Sequence, residues 1–188
     1  MQLDYLMGAT IAVLLVALLR VVLQPRPDYR LAVYLLSELV ATIGIEISAL
    51  TWPDWNDQRY AGAFCVSRTI DLTAAIWLSR PRVGTVISAL LITAIAIIGV
   101  RGHLDLNSSI ALAEGFGFIL AGMSILLQPV SFTRGMLAIL WVMLAAYNYG
   151  YAMSWHLELA DYWNTVVCIG VFSLIAIVGS EEPYGQVA

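Results

Sequence analysis

Five ionisable side chains stand inside long apolar runs: Glu38, Glu46, Arg68, Asp71 and Glu114. Asn148 adds a neutral polar group in the same kind of setting. An ionised group at the centre of a bilayer costs roughly 2.5–3.5 kcal/mol on insertion scales, so each is expected to face inward and meet a partner. Arg68 and Asp71 are three residues apart and share a helical face. Glu38 and Glu46 are eight apart, about 80° around a helix, so one broad face carries both. Counting from the ends of the apolar runs places Glu46 six residues below Trp52 and Arg68 seven below Ala61. The two are therefore expected at nearly the same depth. Glu114 lies six residues into its run, and Asn148 eight short of His156. A guanidinium keeps its charge in proteins, so Arg68 is expected to contact Asp71 or Glu46.

Four carboxylates facing one guanidinium leave negative charge that a proton, a cation or water has to meet. That balance suits a solute or ion pathway with its site in one half of a helical bundle. Two other readings fit the same residues. One is an ion-pair network that locks neighbouring helices together, and the other is a contact with a second membrane subunit.

Other chemistries lack their residues. The nine basic residues are all Arg, which excludes a Lys Schiff base with retinal. No Ser-His-Asp set, metal-ligand spacing or phosphate loop is present, so no enzyme activity, cofactor or metal is expected. His103 and His156 fall at segment edges and are not placed to hold a haem. Cys65 and Cys168 are expected as small buried thiols, a disulfide requiring that they face each other. Tyr147-Asn148-Tyr149-Gly150-Tyr151 reads as an aromatic packing cluster or as a wall for a polyol or aromatic ligand. Gly115, Gly117 and Gly122 suit close helix packing.

The elements that position these groups follow from composition. Of the 188 residues, 61% are hydrophobic and 12% charged, against about 45–50% apolar and about 25% charged in soluble domains. Such a surface would aggregate in water, so an all-α, polytopic integral membrane protein is expected. Nucleic acid is not an expected partner, since no basic run is present. The expected partners are the lipid bilayer and, for some surfaces, a second copy or other membrane subunits.

A bilayer core about 30 Å thick takes roughly 20 apolar residues in a helix. Seven segments approach that length: Leu3 to Gln24, Leu31 to Trp52, Ala61 to Ser79, Val83 to Val100, Ser108 to Gln128, Met136 to His156 and Trp163 to Gly179. Proline and charge fill the short gaps, leaving residues 1–188 as a single seven-helix membrane domain. Met1-Gln2-Leu3-Asp4 carries no positive charge, so the first segment is expected to stay in the mature chain. Arg20, Arg26, Arg30, Arg80, Arg82 and Arg134 flank one set of loops. Asp4, Asp54, Asp57, Asp105, Glu158 and Asp161 outweigh Arg59 and Arg101 on the other. The positive-inside rule then puts the N-terminus outside and the C-terminus in the cytoplasm. Trp52, Trp55, Tyr60, Trp155, Tyr162 and Trp163 would form an outer aromatic belt.

Leu23-Gln24-Pro25 and Arg30 match Leu127-Gln128-Pro129 and Arg134 at an offset of 104. Ala49-Leu50-Thr51-Trp52 resembles Ala152-Met153-Ser154-Trp155 at an offset of 103, as Cys65 matches Cys168. These matches suggest parallel half-repeats over 1–80 and 105–180, joined by a helix over 83–100, in a 3+1+3 layout. That layout resembles the sugar-transporting SWEET and PQ-loop families, which also place the N-terminus outside. Those families carry a Pro-Gln pair where this chain has Gln24-Pro25, so no residue role is carried over. The function expected is a small membrane transporter or carrier with its polar site in the outer half of the bundle. The alternative is a structural or accessory subunit that moves no solute.

Overall fold

The computed structural model describes residues 2–52, 58–80, 106–129, 131–152 and 157–179. The expected helix over 83–100 lies outside these residues. So do Asp54, Trp55, Asp57, Arg82, Arg101, His103, Asp105, Trp155 and His156. The regular elements among the described residues are six helices, with no strand: α1 Gln2–Val22, α2 Tyr29–Thr51, α3 Gln58–Ser79, α4 Leu106–Leu126, α5 Phe132–Ala152 and α6 Leu157–Val178.

Four helices are long and apolar enough to cross a membrane, over Tyr5–Val22, Tyr29–Thr51, Ser108–Leu126 and Phe132–Ala152. In α3, Arg59, Arg68 and Asp71 interrupt the apolar run, and in α6 the apolar part is confined to Trp163–Val178. Helix α2 illustrates the solvent problem. Its inward face buries Leu31, Leu35, Leu39 and Ile45, while Val40, Ile47 and Leu50 on the far side are exposed. A bare apolar stripe of this kind suits lipid and not water.

Local chemistry sets the helix ends. Asp28 caps α2 by accepting the backbone N–H groups of Arg30 and Leu31 at 3.0 and 3.1 Å. Helix α5 starts four residues ahead of the expected Met136, because the Ser131 hydroxyl accepts the Arg134 N–H at 3.2 Å. Helix α6 starts six residues ahead of Trp163. Its first turns are polar, and hydropathy registers only the apolar remainder. Gly179 closes α6 with φ of 76°, a left-handed position that glycine adopts at little cost.

Each helix packs on its neighbours in sequence, and α6 returns to α1, so the six close a ring. Helices α3 and α4 run parallel: Thr69 meets Glu114, Leu72 lies against Gly117, and Ser79 accepts from Gln128. Inside the ring, the Trp141 indole N–H donates to the Tyr34 hydroxyl at 3.0 Å, with the rings edge-on at 5.5 Å. This pair joins α2 to α5 across the core that Leu14, Phe118, Leu140 and Phe172 fill.

The expected close packing by glycine is observed between α4 and α5. A Cβ on Gly115 would stand 3.1 Å from the Ala145 carbonyl oxygen, and one on Gly122 would stand 3.5 Å from that of Ala138. Two small-residue pairs seven residues apart thus bring the backbones together, where dispersion and not hydrophobicity supplies the attraction in lipid. Gly115→Val should force the helices apart at a cost of about 1–3 kcal/mol. Gly170→Ala, where nothing lies within 4 Å, should be neutral or slightly stabilising. Thermal unfolding in detergent checks both.

Candidate functional site

The antiparallel register of α2 and α3 is fixed where Gly44 admits Ser67, whose hydroxyl oxygen would lie 3.1 Å from an added Cβ. Arg68 is then level with residue 43 of α2. Glu46 sits roughly one turn toward the C-terminal end of α2 and Glu38 somewhat more than one turn toward its N-terminal end. This register leaves Glu46 about a turn from Arg68 along α2, and the long Arg68 side chain extends toward Glu38. Its Nη1 lies 3.6 Å from Glu38 Oε1 and 3.8 Å from Asp71 Oδ2. The expected contact with Asp71 is present, and Glu38 supplies the partner on α2.

Two aromatic rings complete the setting of this guanidinium. Its central carbon lies 5.5 Å from the Phe64 ring centroid and 6.0 Å from that of Tyr147. Phe64 in turn stacks on Tyr151 at 5.1 Å and tilts against Tyr147 at 5.7 Å. From the aromatic run in α5, Tyr147 and Tyr151 thus pack on Phe64, and Tyr147 also faces the guanidinium, as ring quadrupoles favour, and lines the adjoining cavity.

A cavity of about 260 Å³ opens beside this cluster, bounded by α1, α2, α3, α5 and α6. Glu38, Glu46 and Arg68 line it together with Thr10, Thr42, Asn164 and Thr165. Met7, Tyr60, Phe64 and Trp52 form its apolar and aromatic wall. Of the six site residues expected from sequence, three line the cavity. Asp71, fully buried, stands behind Arg68. Glu114 is held apart at the α3–α4 contact, where the Thr69 hydroxyl donates to its Oε1 at 2.7 Å. Asn148 is turned toward α4: its Cβ would lie 3.4 Å from one on Gly115, and its amide donates to the Leu144 carbonyl of its own helix.

Sequence reasoning missed Asn164, which is 5% exposed and lines the cavity from α6. An amide one residue inside the last apolar run was the available signal. Thr10 and Thr42 were not legible, because each also satisfies the ordinary pattern of a threonine within a membrane helix. Cys65 and Cys168 are both buried thiols, and Cys168 reaches the cavity wall.

The polar atoms here are underused. Glu38 Oε2, both Asp71 carboxylate oxygens, Arg68 Nε and Nη1, and Asn164 Oδ1 are buried without a hydrogen bond among the described residues. Buried groups of this kind normally have partners, and leaving them bare costs about 1–3 kcal/mol each. Two carboxyl groups also stand within 4 Å of one guanidinium, so with both ionised the cluster would carry one negative charge in excess. Its neutralisation calls for a proton or a mobile cation. Among the described residues, no three His, Cys, Asp or Glu side chains are gathered to hold a metal ion.

Removing one partner of a buried ion pair costs about 3–5 kcal/mol, since the survivor is left uncompensated. Arg68→Ala should therefore lower the thermal midpoint in detergent sharply. Adding Glu38→Gln to it should recover part of the loss, and equal midpoints for the single and double variants would argue against coupling. Comparison of the chain with known protein families, curated proteins and solved structures finds no match.

Proposed function

We propose that this chain is a small multi-spanning membrane carrier for a small cation, bound in the outer cavity beside Glu38, Glu46 and Arg68. The cavity carries the reading: about 260 Å³ is more than a bare ion fills, and it suits a hydrated monovalent cation or a small organic ammonium. Excess carboxylate charge would attract such a ligand, and aromatic faces add cation–π attraction. On α2, Leu31 borders a second cavity at the opposite end and Glu38 borders the first, with Tyr34 between them. The Tyr34–Trp141 pair is then the barrier a solute must pass.

Seven crossings and a parallel repeat belong to the same proposal. The parallel course of α3 and α4 supports a crossing by residues 83–100, because the chain has to return from the end of α3 to the opposite end before α4 begins. Helix α6 likewise ends beside the end of α1, where Gly179 approaches Gln24 and Arg20. Parallel contacts at α3–α4 and α6–α1, with short links elsewhere, are what a 3+1+3 layout produces. The arginine distribution supports an outward N-terminus and a cytoplasmic C-terminus. In a background without native cysteines, thiol labelling of intact cells should place residues 57 and 161 outside and residues 26, 82 and 182 inside. Residues 26 and 57 on one side would end the seven-helix reading.

Transport is tested by solid-supported membrane electrophysiology of proteoliposomes challenged with sodium, potassium, guanidinium and choline. At least one should give a saturable current, reduced at least tenfold in Glu38→Gln or Glu46→Gln while the variant remains folded. If no cation gives a current above protein-free vesicles, the chain is better read as an accessory subunit, in which the Arg68 cluster serves only to lock α2 to α3.

A further inference from the structure

A second cavity, of about 460 Å³, lies at the opposite end of the bundle among α2, α3, α4 and α5. Three arginines from three different segments line it: Arg30 at the start of α2, Arg80 just past α3, and Arg134 in the first turn of α5. Its floor is apolar, made by Leu31, Leu78, Ile125 and Leu137, all buried. Asp28 is the sole acid among its described lining residues, and its Oδ1 accepts the two N–H groups that cap α2.

Arg30 and Arg134 are held by neutral groups, and among the described residues none of the three arginines is neutralised. Arg30 lies over the Trp77 ring at 4.9 Å and donates to the Trp77 carbonyl at 3.3 Å. Arg134 donates to the Pro129 carbonyl at 2.6 Å. Each guanidinium offers five donors, so most remain for a ligand. Among the described residues no carboxylate forms an ion pair with Arg30, Arg80 or Arg134. Arg80 has φ of 48°, a left-handed conformation that a non-glycine residue adopts only at a cost. The amino ends of α2 and α5 also open here and add partial positive charge. Like charges gathered around one cavity repel unless an anion sits between them.

We propose that this cavity binds a phosphate-bearing anion, supplied either as an anionic phospholipid headgroup or as free phosphate. Guanidinium forks match phosphate oxygens in geometry as well as charge. A general preference for arginine on the cytoplasmic side does not account for the arrangement. Such a preference is met by Arg26, exposed and outside the cavity, as well as by these three.

Native mass spectrometry of the delipidated full chain, titrated with phosphatidylglycerol, phosphatidylcholine or inorganic phosphate, tests this. Phosphatidylglycerol should bind more tightly than phosphatidylcholine, and each of Arg30→Gln, Arg80→Gln and Arg134→Gln should weaken it roughly fivefold, the factor matching about 1 kcal/mol per arginine. Arg26→Gln, with the same loss of charge, should leave it unchanged. Arg80→Gln guards against misfolding, since its side chain is exposed. If inorganic phosphate competes with the lipid and is equally sensitive to the three substitutions, the cavity reads phosphate itself. If it does not compete, the lipid headgroup is the ligand. Equal binding of the two lipids, or an Arg26→Gln loss equal to the other three, would overturn the proposal. Either result leaves the outer cavity and its cation currents untouched.

Discussion

A permanent positive charge buried in a ring of membrane-type helices constrains most of what surrounds it. Arg68 cannot shed its proton, and it is too deep in the bundle for water at either end to solvate it fully. The fold answers with two carboxylates, from α2 and from one turn along α3, and with two aromatic faces. That answer overshoots in number: two carboxyl groups stand beside one guanidinium, one more than its charge can balance. The surplus, the bare polar atoms and the adjoining cavity are consequences of the same placement.

Around this centre the remaining contacts divide the bundle in two. The Tyr34–Trp141 bond and the buried leucines separate a cavity lined by Glu38 and Glu46 at one end of the bundle from one lined by Arg30, Arg80 and Arg134 at the other. Because lipid offers no hydrophobic drive between helices, close approach has to come from small residues, and Gly115 and Gly122 supply it on α4. The α4–α5 pair is then a tightly packed unit. The α2–α3 pair carries polar groups, with Gly44 making room for Ser67 and no more.

Helix number and site geometry were legible to different degrees. Apolar run length located all six described helices, because a 17–22 residue run of this kind has few alternatives. Their ends were less clear. Ser131 extends α5 through a side-chain cap, and the polar first turns of α6 are invisible to hydropathy. The pairing of Arg68 with Asp71 followed from a spacing of three. Its pairing with Glu38 did not, since helix register depends on where Gly44 lets α3 approach. The same limitation placed Glu114 and Asn148 in a shared pocket on depth alone, whereas helix rotation turns them toward the α3–α4 and α4–α5 contacts.

The central claim is that the Arg68 cluster borders a water-accessible cavity open to the outer face, and not a dry interface. It is tested most directly by cysteine accessibility at Thr42, which is 7% exposed and lines the cavity, against Val40, which faces outward on the same helix. In a chain lacking Cys65 and Cys168, a membrane-impermeant thiol reagent added from outside should modify Thr42→Cys and leave Val40→Cys unmodified. Modification of neither position, in protein shown to be folded, would contradict the account.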